Sequence, residues 1–259
     1  MKRPLFLLIL VITIFNSCAK IGEYYAGLNL QPDVDSAGFK PGLNVYGVIK
    51  TGPDLDTINQ YFEVERIVSL KSGYDSLTIN GAEIKLERVA ANGEVSYYKP
   101  LNTNDGIYTD TTIAAAPGDK WLYRCSFDTF VVTAECTIPD TPHLKNGAEI
   151  TATHSVKFTV LSDLTAFMYD VYLLNGANYL FEKKVPEKGT DTEFELKPEW
   201  DPSVGATVVY IFAYDENLEK YYTTSNTFFK PNAFRPSFTT VIGGYGTFGG
   251  ISSTKVVVN

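Results

Sequence analysis

An all-β fold with two β-sandwich lobes in series is predicted by three features of this 259-residue chain. Aromatic residues make up 14% of it, and Tyr, Phe, Val, Ile and Thr favour a pleated, half-buried backbone. Apolar and polar residues alternate in short runs, with turn signals about every 8 to 12 residues. After the first residues, no run longer than about ten residues has a helical period.

The first 17 residues have the pattern of a secretory signal peptide. The cationic pair Lys2-Arg3 precedes an uncharged apolar run, Leu5 to Phe15, that is too short to cross roughly 30 Å of hydrocarbon. The stretch Phe15-Asn16-Ser17-Cys18 resembles a bacterial lipobox, in which the cysteine is acylated and becomes the new N-terminus. Residues 1–17 are therefore predicted to be cleaved off, and Cys18 to be the lipidation site that holds the protein on a membrane. The alternative is an ordinary signal peptide that is cut nearby.

Charge excludes one class of partner. The formal net charge of −8 becomes −10 once Lys2 and Arg3 are removed with the signal peptide. Nucleic-acid binding depends on basic residues that displace counterions from phosphates, and no cluster of five or more Lys and Arg occurs. We therefore expect no nucleic-acid partner.

Composition divides the mature chain into four segments. Residues 18–40 lack a period and are predicted to be a lipidated tether. Residues 41–139 are predicted to form the N-terminal β-sandwich, which ends at the two prolines of IPDTPH because proline cannot donate to a β-ladder. Residues 140–230 are predicted to form the second sandwich. The glycine- and aromatic-rich tail, residues 231–259, is expected to complete the second lobe by packing on a sandwich edge.

Period-two alternation predicts about seven strands in the first lobe. They are LNVYGVIK, YFEVERIVSL, NGAEIKLERV, EVSYYKPL, IYTDTTI, KWLYRCSF and FVVTAECTI. Arg66 falls on the apolar side of the second strand, which predicts a bulge, a twist toward solvent or a carboxylate partner. The stretch Ala91-Asn92-Gly93 predicts a hairpin, since Asn-Gly tolerates the positive φ of a type I′ turn.

The two internal cysteines lie on neighbouring predicted strands. A two-residue turn at Asp128-Thr129 would place Cys125 opposite Val132, and Cys136 opposite Trp121. The thiols would then be roughly 13 Å apart along the ladder, which is beyond the reach of a disulfide. Two buried free thiols are predicted, and a shifted turn would reverse this conclusion.

The second lobe has the same strand pattern. The predicted strands are HSVKFTVL, AFMYDVYLL, ANYLFEKKV, TEFELK and ATVVYIFAY. A type I′ turn at Asn175-Gly176 would set Tyr172 opposite Tyr179 and Val171 opposite Leu180. The stretch Asp215-Glu216-Asn217 is predicted to be a turn that leads into LEKYYTT.

The order of several motifs carries a family resemblance. The segments PGLNVYGVIKTG, NGAEIKLERV and APGDKWLYRCSFDTFVVTAECTIP, followed by the tail FRPSFTTVIGGYGTFGGISSTKVVV, resemble the DUF4249 lipoproteins of Bacteroidetes. The match departs at Thr240 and Val241, near the place where the family usually has an Asn before Gly-Gly. The first lobe is also similar to the transthyretin-like or carboxypeptidase-regulatory sandwich, and the strand pattern is typical of immunoglobulin-like sandwiches. The resemblance implies an outer-membrane lipoprotein, often found with TonB-dependent receptors, and implies no known reaction.

Motifs for catalysis or metal binding are not found. The two histidines, His143 and His154, have no second His or Cys at ligand spacing, and no G-x-S-x-G, H-E-x-x-H, P-loop or Rossmann pattern occurs. We therefore predict no catalytic residue, no metal and no cofactor, although two carboxylates that meet only in space would escape a sequence search. Exposed tyrosine is favoured at binding surfaces, so the possible interaction residues are Tyr97, Tyr98, Tyr221, Tyr222, Tyr245 and Phe248.

These features lead to three functional hypotheses. The first is a non-catalytic outer-membrane lipoprotein that is a binding or interaction subunit beside a TonB-dependent transporter. The second is a cell-surface adhesin or structural lipoprotein, and the third is a hydrolase with an unrecognised carboxylate site. The anchored body would face either the cell surface or the periplasm.

Overall fold

The structure, a computed structural model, describes residues 41–55, 60–67, 77–223 and 239–258. The predicted signal peptide, the lipidation site Cys18 and the tether lie outside the described residues, as do residues 231–238 of the predicted tail. The described part from Gly42 onward belongs to one compact unit.

The all-β prediction is confirmed, since the described residues form fifteen strands and a single short helix. The strands are β1 (Gly42–Thr51), β2 (Tyr61–Ile67), β3 (Glu83–Val89), β4 (Val95–Tyr98), β5 (Leu101–Asn104), β6 (Ile107–Thr109), β7 (Lys120–Phe127), β8 (Phe130–Thr137), β9 (Glu149–Ile150), β10 (Val156–Val160), β11 (Met168–Asn175), β12 (Asn178–Lys184), β13 (Thr192–Leu196), β14 (Thr207–Tyr214) and β15 (Tyr245–Val257). The helix, α1, spans Glu216–Thr223.

Three sheets build two sandwiches that share one layer. The eight-stranded sheet has the order β12-β11-β14-β15-β1-β2-β6-β5. At one end, β1 and β2 pack against the four-stranded sheet β4-β3-β7-β8 around a core that includes Phe62 and Trp121. At the other end, β11 and β14 pack against the three-stranded sheet β13-β10-β9 around a core that includes Val171 and Phe158. The lobes are therefore joined by a continuous sheet, and their residue ranges stay predictions.

The glycine-rich tail does not lie on a sandwich edge, and that part of the prediction is wrong. Strand β15 lies between β14, to which it is antiparallel, and β1, to which it is parallel. Its glycines permit close packing on both sides of the strand. A Cβ on Gly249 would be 2.4 Å from Leu218 Cγ of α1, and one on Gly250 would be 3.0 Å from Ile138 Cα.

The hairpin that holds the cysteines has the predicted register. Cys125 pairs with Val132, and Cys136 pairs with Trp121. Both cysteines are buried and neither forms a disulfide. The expectation of two buried free thiols is confirmed.

The register predicted for the hairpin β11–β12 is wrong. Tyr172 lies opposite Phe181, and Val171 lies opposite Glu182, because the turn is Gly176-Ala177 and Asn175 still belongs to the strand. The physical reason is tertiary: Asn175 Nδ2 donates to the carbonyl oxygen of Val204 (2.7 Å) and to Thr207 Oγ1 (2.9 Å). The shift moves each pair by two residues, so every side chain keeps its predicted face.

The turn predicted at Asp215-Glu216-Asn217 is the start of helix α1. Asp215 caps it, since its Oδ1 accepts the N–H of Leu218 (2.9 Å). The helix is amphipathic, since it buries Leu218 and Tyr221, which are three residues apart and lie on one side of it. Arg66 is exposed, in agreement with the predicted twist toward solvent, and its guanidinium lies 5.8 Å from the ring centre of Phe127.

Candidate functional site

One face of the eight-stranded sheet in the second lobe is rich in aromatic side chains. Residues of β11 and β14 that point to one side, such as Val171 and Ile211, pack against the three-stranded sheet. Within the described residues, no strand packs over the opposite side. We call this opposite side the aromatic face and define it by Tyr172, Tyr179, Phe181, Tyr210 and Phe212.

Strand pairing arranges the face in three rows that cross four strands. The residues of each row are direct partners on β12, β11, β14 and β15. The rows are Tyr179-Leu174-Val208-Val257, Phe181-Tyr172-Tyr210-Lys255 and Lys183-Asp170-Phe212-Ser253. Neighbouring strands lie about 4.8 Å apart, so each row is about 14 Å long.

The rings of the face contact one another, and two of them are exposed to solvent. Tyr172 and Phe181 have ring centres 4.9 Å apart, and Tyr210 and Phe212 are stacked within 10° of parallel. Tyr179 is 68% exposed and Phe181 is 41% exposed, while Phe212 is buried where the face meets α1. Large apolar side chains that stay exposed side by side are typical of binding surfaces.

The charged groups of the face are few and held in place. Asp170 is only 6% exposed; its Oδ2 accepts a hydrogen bond from Tyr214 Oη (3.0 Å), and Lys183 Nζ lies 3.6 Å from its Oδ1. Burial raises the pKa of Asp170, although Lys183 and Tyr214 oppose that effect. Lys183 Nζ lies 4.9 Å from the ring centre of Tyr222, and Lys255 Nζ lies 5.3 Å from that of Tyr210.

The aromatic residues singled out from the sequence do not form one surface. Tyr97 is 73% exposed on β4, in the other lobe, and its neighbour Tyr98 packs against Trp121. Phe248 is fully buried in the first core, where its ring centre lies 5.0 Å from that of Tyr123. This burial corrects the expectation that Phe248 is available for interaction.

The other predicted aromatics lie on α1 or at the start of β15. Tyr221 is on the buried side of the helix, which corrects its assignment as an interaction residue, and Tyr245 is half-buried. Tyr222 borders the aromatic face, where it packs edge-on against Tyr214 and its hydroxyl is hydrogen-bonded to that of Tyr46. The sequence signal that would have found the face is the same-parity aromatic set of β11, β12 and β14.

A separate cleft of about 530 Å³ lies beside α1. It is lined by residues of β7 and β8, by Leu164 and Phe167, and by the start of the helix. Asp215 is its buried acid, and burial raises the pKa of this carboxyl to about 7. Both oxygens of Asp215 accept backbone hydrogen bonds, one from the N–H of Leu218 and one from the N–H of Gly250. The carboxyl therefore stabilises the fold.

In the described part of the chain, no three His, Cys, Asp or Glu side chains come together as a possible metal site. No helix in this part is long and apolar enough to cross a membrane.

No protein-family model matches the chain, and no curated protein matches it. Similar solved structures include a tetra-tandem repeat from the extending region of a large adhesion protein, with 10% identity and a TM-score of 0.22 over 84% of this chain and 49% of that one. A two-domain fibronectin type III segment of chicken tenascin has 11% identity and a TM-score of 0.22 over 68% of this chain and 90% of that one. A bacterial ice-binding adhesin has 8% identity and a TM-score of 0.26 over 85% and 65%.

The chain thus spans about half the length of the adhesion-protein repeat. Identities and TM-scores this low establish neither a family nor a function. The comparisons therefore leave the aromatic face as the feature from which a function is argued.

Proposed function

We propose that this protein is a non-catalytic lipoprotein of the outer membrane that binds its ligand on the aromatic face. The observation that carries the proposal is a set of aromatic side chains over which no described strand packs; Tyr179 and Phe181 of β12 are exposed, and Tyr172 and Tyr210 are half-buried. Such a face loses water-exposed apolar area when a partner binds, which contributes roughly 25 cal/mol per Å². Aromatic residues also lose little conformational entropy on binding.

The anchor is supported by the sequence pattern around Cys18 and by the resemblance to DUF4249 lipoproteins. The same resemblance supports a place beside a TonB-dependent transporter. In this arrangement the lipid holds the protein on the membrane, and the face presents bound material to the transporter.

Photo-crosslinking in living cells tests this function. A benzophenone amino acid replaces Phe181 on the face, or Tyr97 as the matched exposed control on the other lobe. The expected result is a discrete adduct at position 181 and none at 97, together with a stoichiometric TonB-dependent transporter after mild-detergent purification. Equal adducts at both positions, or none at 181, would contradict binding through this face.

The anchor has its own test. Cells are fed a clickable palmitate, and the label is expected on the wild-type protein and not on Cys18→Ala. A label that persists in Cys18→Ala would contradict lipidation at this residue. Purification of a lone protein without a transporter would contradict the uptake role and favour the adhesin hypothesis.

A further inference from the structure

The chain enters its folded body at one end of the first lobe. Gly42 is the first residue of β1, and residues 19–41 connect it to the predicted lipidation site. This end of β1 lies close to β8, because a Cβ on Gly244 would overlap Val132 Cγ2 and lie 2.8 Å from the carbonyl oxygen of Leu43. A lipid anchor would therefore be joined to the body at the end of the lobe where the hairpin β7–β8 turns.

Apolar side chains are exposed at this end. Ile242 is 75% exposed and lies beside β8, since its carbonyl oxygen accepts the N–H of Thr133 (2.9 Å). Val131, two residues before Thr133, is 38% exposed. Phe127 and Phe130 pair across the turn of the hairpin and are half-buried. We call Phe127, Phe130, Val131 and Ile242 the tip. Exposed apolar groups that cluster in this way mark a contact with a protein or a membrane.

Two arginines flank the tip. The guanidinium of Arg66 lies 5.8 Å from the ring centre of Phe127, and Arg66 is exposed. Arg124 is also exposed, and it pairs with Thr133 of β8. In the described part of the chain, neither guanidinium forms a salt bridge with a carboxylate. Both are therefore available to phosphate groups, whose geometry the guanidinium fork matches.

The acids near the tip do not cancel these charges. Asp128 is exposed in the turn of the hairpin. Glu83, which pairs with Ser126, lies 3.3 Å from Lys85 and 3.1 Å from Lys99. With the two arginines, these charged residues comprise four cations and two acids, in a mature chain whose formal charge is −10. This local excess of positive charge is complementary to the phosphates of a lipid surface.

We propose that the tip lies on the surface of the phospholipid bilayer that holds the anchor. The apolar side chains enter the interfacial layer, and the guanidinium groups of Arg66 and Arg124 bind lipid phosphates. This inference rests on the anchor in the proposed function and adds the orientation of the body. Strand β15 extends over about 40 Å from Tyr245, near the tip, to Val257. The row of the aromatic face that begins with Tyr179 and ends with Val257 is therefore held away from the bilayer.

Two other occupants fit the tip less well. A second copy of this chain would bring the same patch against itself, so that the arginines of the two copies would repel one another. Another protein could bury the apolar side chains equally well, but the chain has no connection that would bring such a protein to this end. The lipid anchor, in contrast, is joined to the body here. Both alternatives are outcomes that the test distinguishes.

The test places an environment-sensitive dye on the full mature, acylated protein, which is bound to vesicles of phosphatidylethanolamine with a minor share of phosphatidylglycerol. The dye is attached to Ile242→Cys. The matched control is Val204→Cys, since Val204 is 68% exposed at the far end of the sheet, where its carbonyl oxygen accepts from Asn175. The native thiols do not interfere, because Cys18 is acylated in this protein and the two internal cysteines are buried. Lipids with a nitroxide at the headgroup should lower the emission at position 242 at least about twofold and leave that at position 204 unchanged.

Charge variants assign the docking to the tip. In Arg66→Glu/Arg124→Glu, the quenching of the dye at position 242 by lipid nitroxides is expected to fall by at least about half. Lys197→Glu is the matched control, because it reverses a cation of the second lobe whose side chain is 74% exposed, and it should change nothing. Asp128→Asn removes the acid from the turn and should increase the quenching. Equal thermal midpoints establish that each variant is folded.

Three results would overturn the inference. They are equal lipid quenching at positions 242 and 204, no lipid quenching at position 242 in vesicle-bound protein, and unchanged quenching in the double arginine variant. A dye at position 242 that is shielded from aqueous iodide but not reached by lipid nitroxides would show that a protein covers the tip.

The outcomes separate this inference from the proposed function. If lipid quenching at position 242 is absent while the protein floats with the vesicles and the photo-crosslink at position 181 persists, the orientation is wrong and the proposed function stands. A mature protein that does not float with the vesicles has no anchor, and both proposals are then wrong.

Discussion

Asp215 and Gly250 are joined by two hydrogen bonds in opposite directions. The N–H of Gly250 donates to Asp215 Oδ2 (3.0 Å), and the N–H of Asp215 donates to the carbonyl oxygen of Gly250 (3.1 Å). Since Asp215 Oδ1 also caps α1, one buried side chain holds the end of β14, the start of the helix and the middle of β15 together.

Replacement of Asp215 by asparagine is expected to remove a pH dependence of stability. Burial raises the pKa of Asp215 from 3.8 to about 7, so the folded state binds this proton more tightly than the unfolded state does. The contribution of Asp215 to the free energy of unfolding therefore falls as the pH rises from about 4 to about 7, and it levels off above that value. Urea denaturation across this range should show the decline as a difference between wild type and Asp215→Asn.

Asp201 provides a control in which the pH dependence of stability has the opposite sign. Hydrogen bonds from the side chain and backbone of Ser203 lower the pKa of Asp201 to about 2. Its contribution to stability is therefore present above about pH 4 and is lost as the pH falls toward 2, and Asp201→Asn should lack that loss. If wild type and Asp215→Asn show the same slope between pH 4 and 7, the raised pKa of Asp215 is refuted.

Gly249→Ala is expected to destabilise the protein by about 1–3 kcal/mol, because the new methyl group would overlap Leu218 and the carboxylate of Asp215. The measurement is the free energy of unfolding in denaturant. Gly81→Ala is the matched control, since its nearest neighbour, Phe127, would lie at an ordinary 3.5 Å, and its effect should stay within about 0.5 kcal/mol. Equal effects of the two substitutions would show that α1 does not depend on the close approach to β15.

The ion pair of Arg88 and Asp119 is expected to be essential for the four-stranded sheet. Arg88 Nε lies 2.6 Å from Asp119 Oδ2, and Asp119 also accepts the N–H of Ala116 (2.7 Å). Asp119→Ala leaves the half-buried guanidinium of Arg88 without its carboxylate partner and should cost about 1.5–3 kcal/mol. The double variant Arg88→Met/Asp119→Ala should recover part of this loss in the same unfolding measurement.

An exposed pair serves as the comparison for that prediction. Lys85 and Glu83 lie 3.3 Å apart on the surface, and Glu83→Ala should lower the free energy of unfolding far less than Asp119→Ala does. The double variant could instead be as unstable as Asp119→Ala alone. The destabilisation would then come from the lost hydrogen bond to Ala116 and not from the unpaired charge of Arg88.

The two internal thiols are expected to be unreactive in the folded protein. Burial raises the pKa of Cys125 to about 11 and also raises that of Cys136. In a chain with Cys18→Ser, a maleimide should label no thiol under native conditions and two thiols in denaturant without reductant. Labelling of neither in denaturant would reveal a disulfide, and prompt labelling of the folded protein would contradict their burial.

Local patterns were sufficient to predict the β class and the cysteine hairpin. In that hairpin, the turn and the alternation of Cys125, Val132 and their neighbours agree, so no distant contact is needed to set the register. The hairpin β11–β12 differs because Asn175 bonds to residues about 30 positions away. A sequence pattern cannot reveal such a contact, and the predicted turn was displaced by one residue.

The candidate site was missed for a related reason. Both faces of β11 carry tyrosine, with Tyr169 in the core and Tyr172 on the aromatic face. Alternation places these two rings on opposite sides, but it does not say which side another sheet will cover. The position of β15 in the middle of the sheet could not be predicted either. A run of glycines has no alternation of apolar and polar residues, and the neighbours of β15 depend on how closely other backbones can approach it.

The pairing of β1 with β15 determines when this protein can finish folding. Val45 pairs with Gly246, so the contact closes a loop of about 200 residues. Pairings this distant in sequence slow folding. The eight-stranded sheet is continuous only through β15, which joins β14 to β1. The two lobes can therefore be joined only after β15 has been synthesised, and the open edges of β14 and β1 must be kept from aggregating until then. The pairing of this one strand completes both lobes.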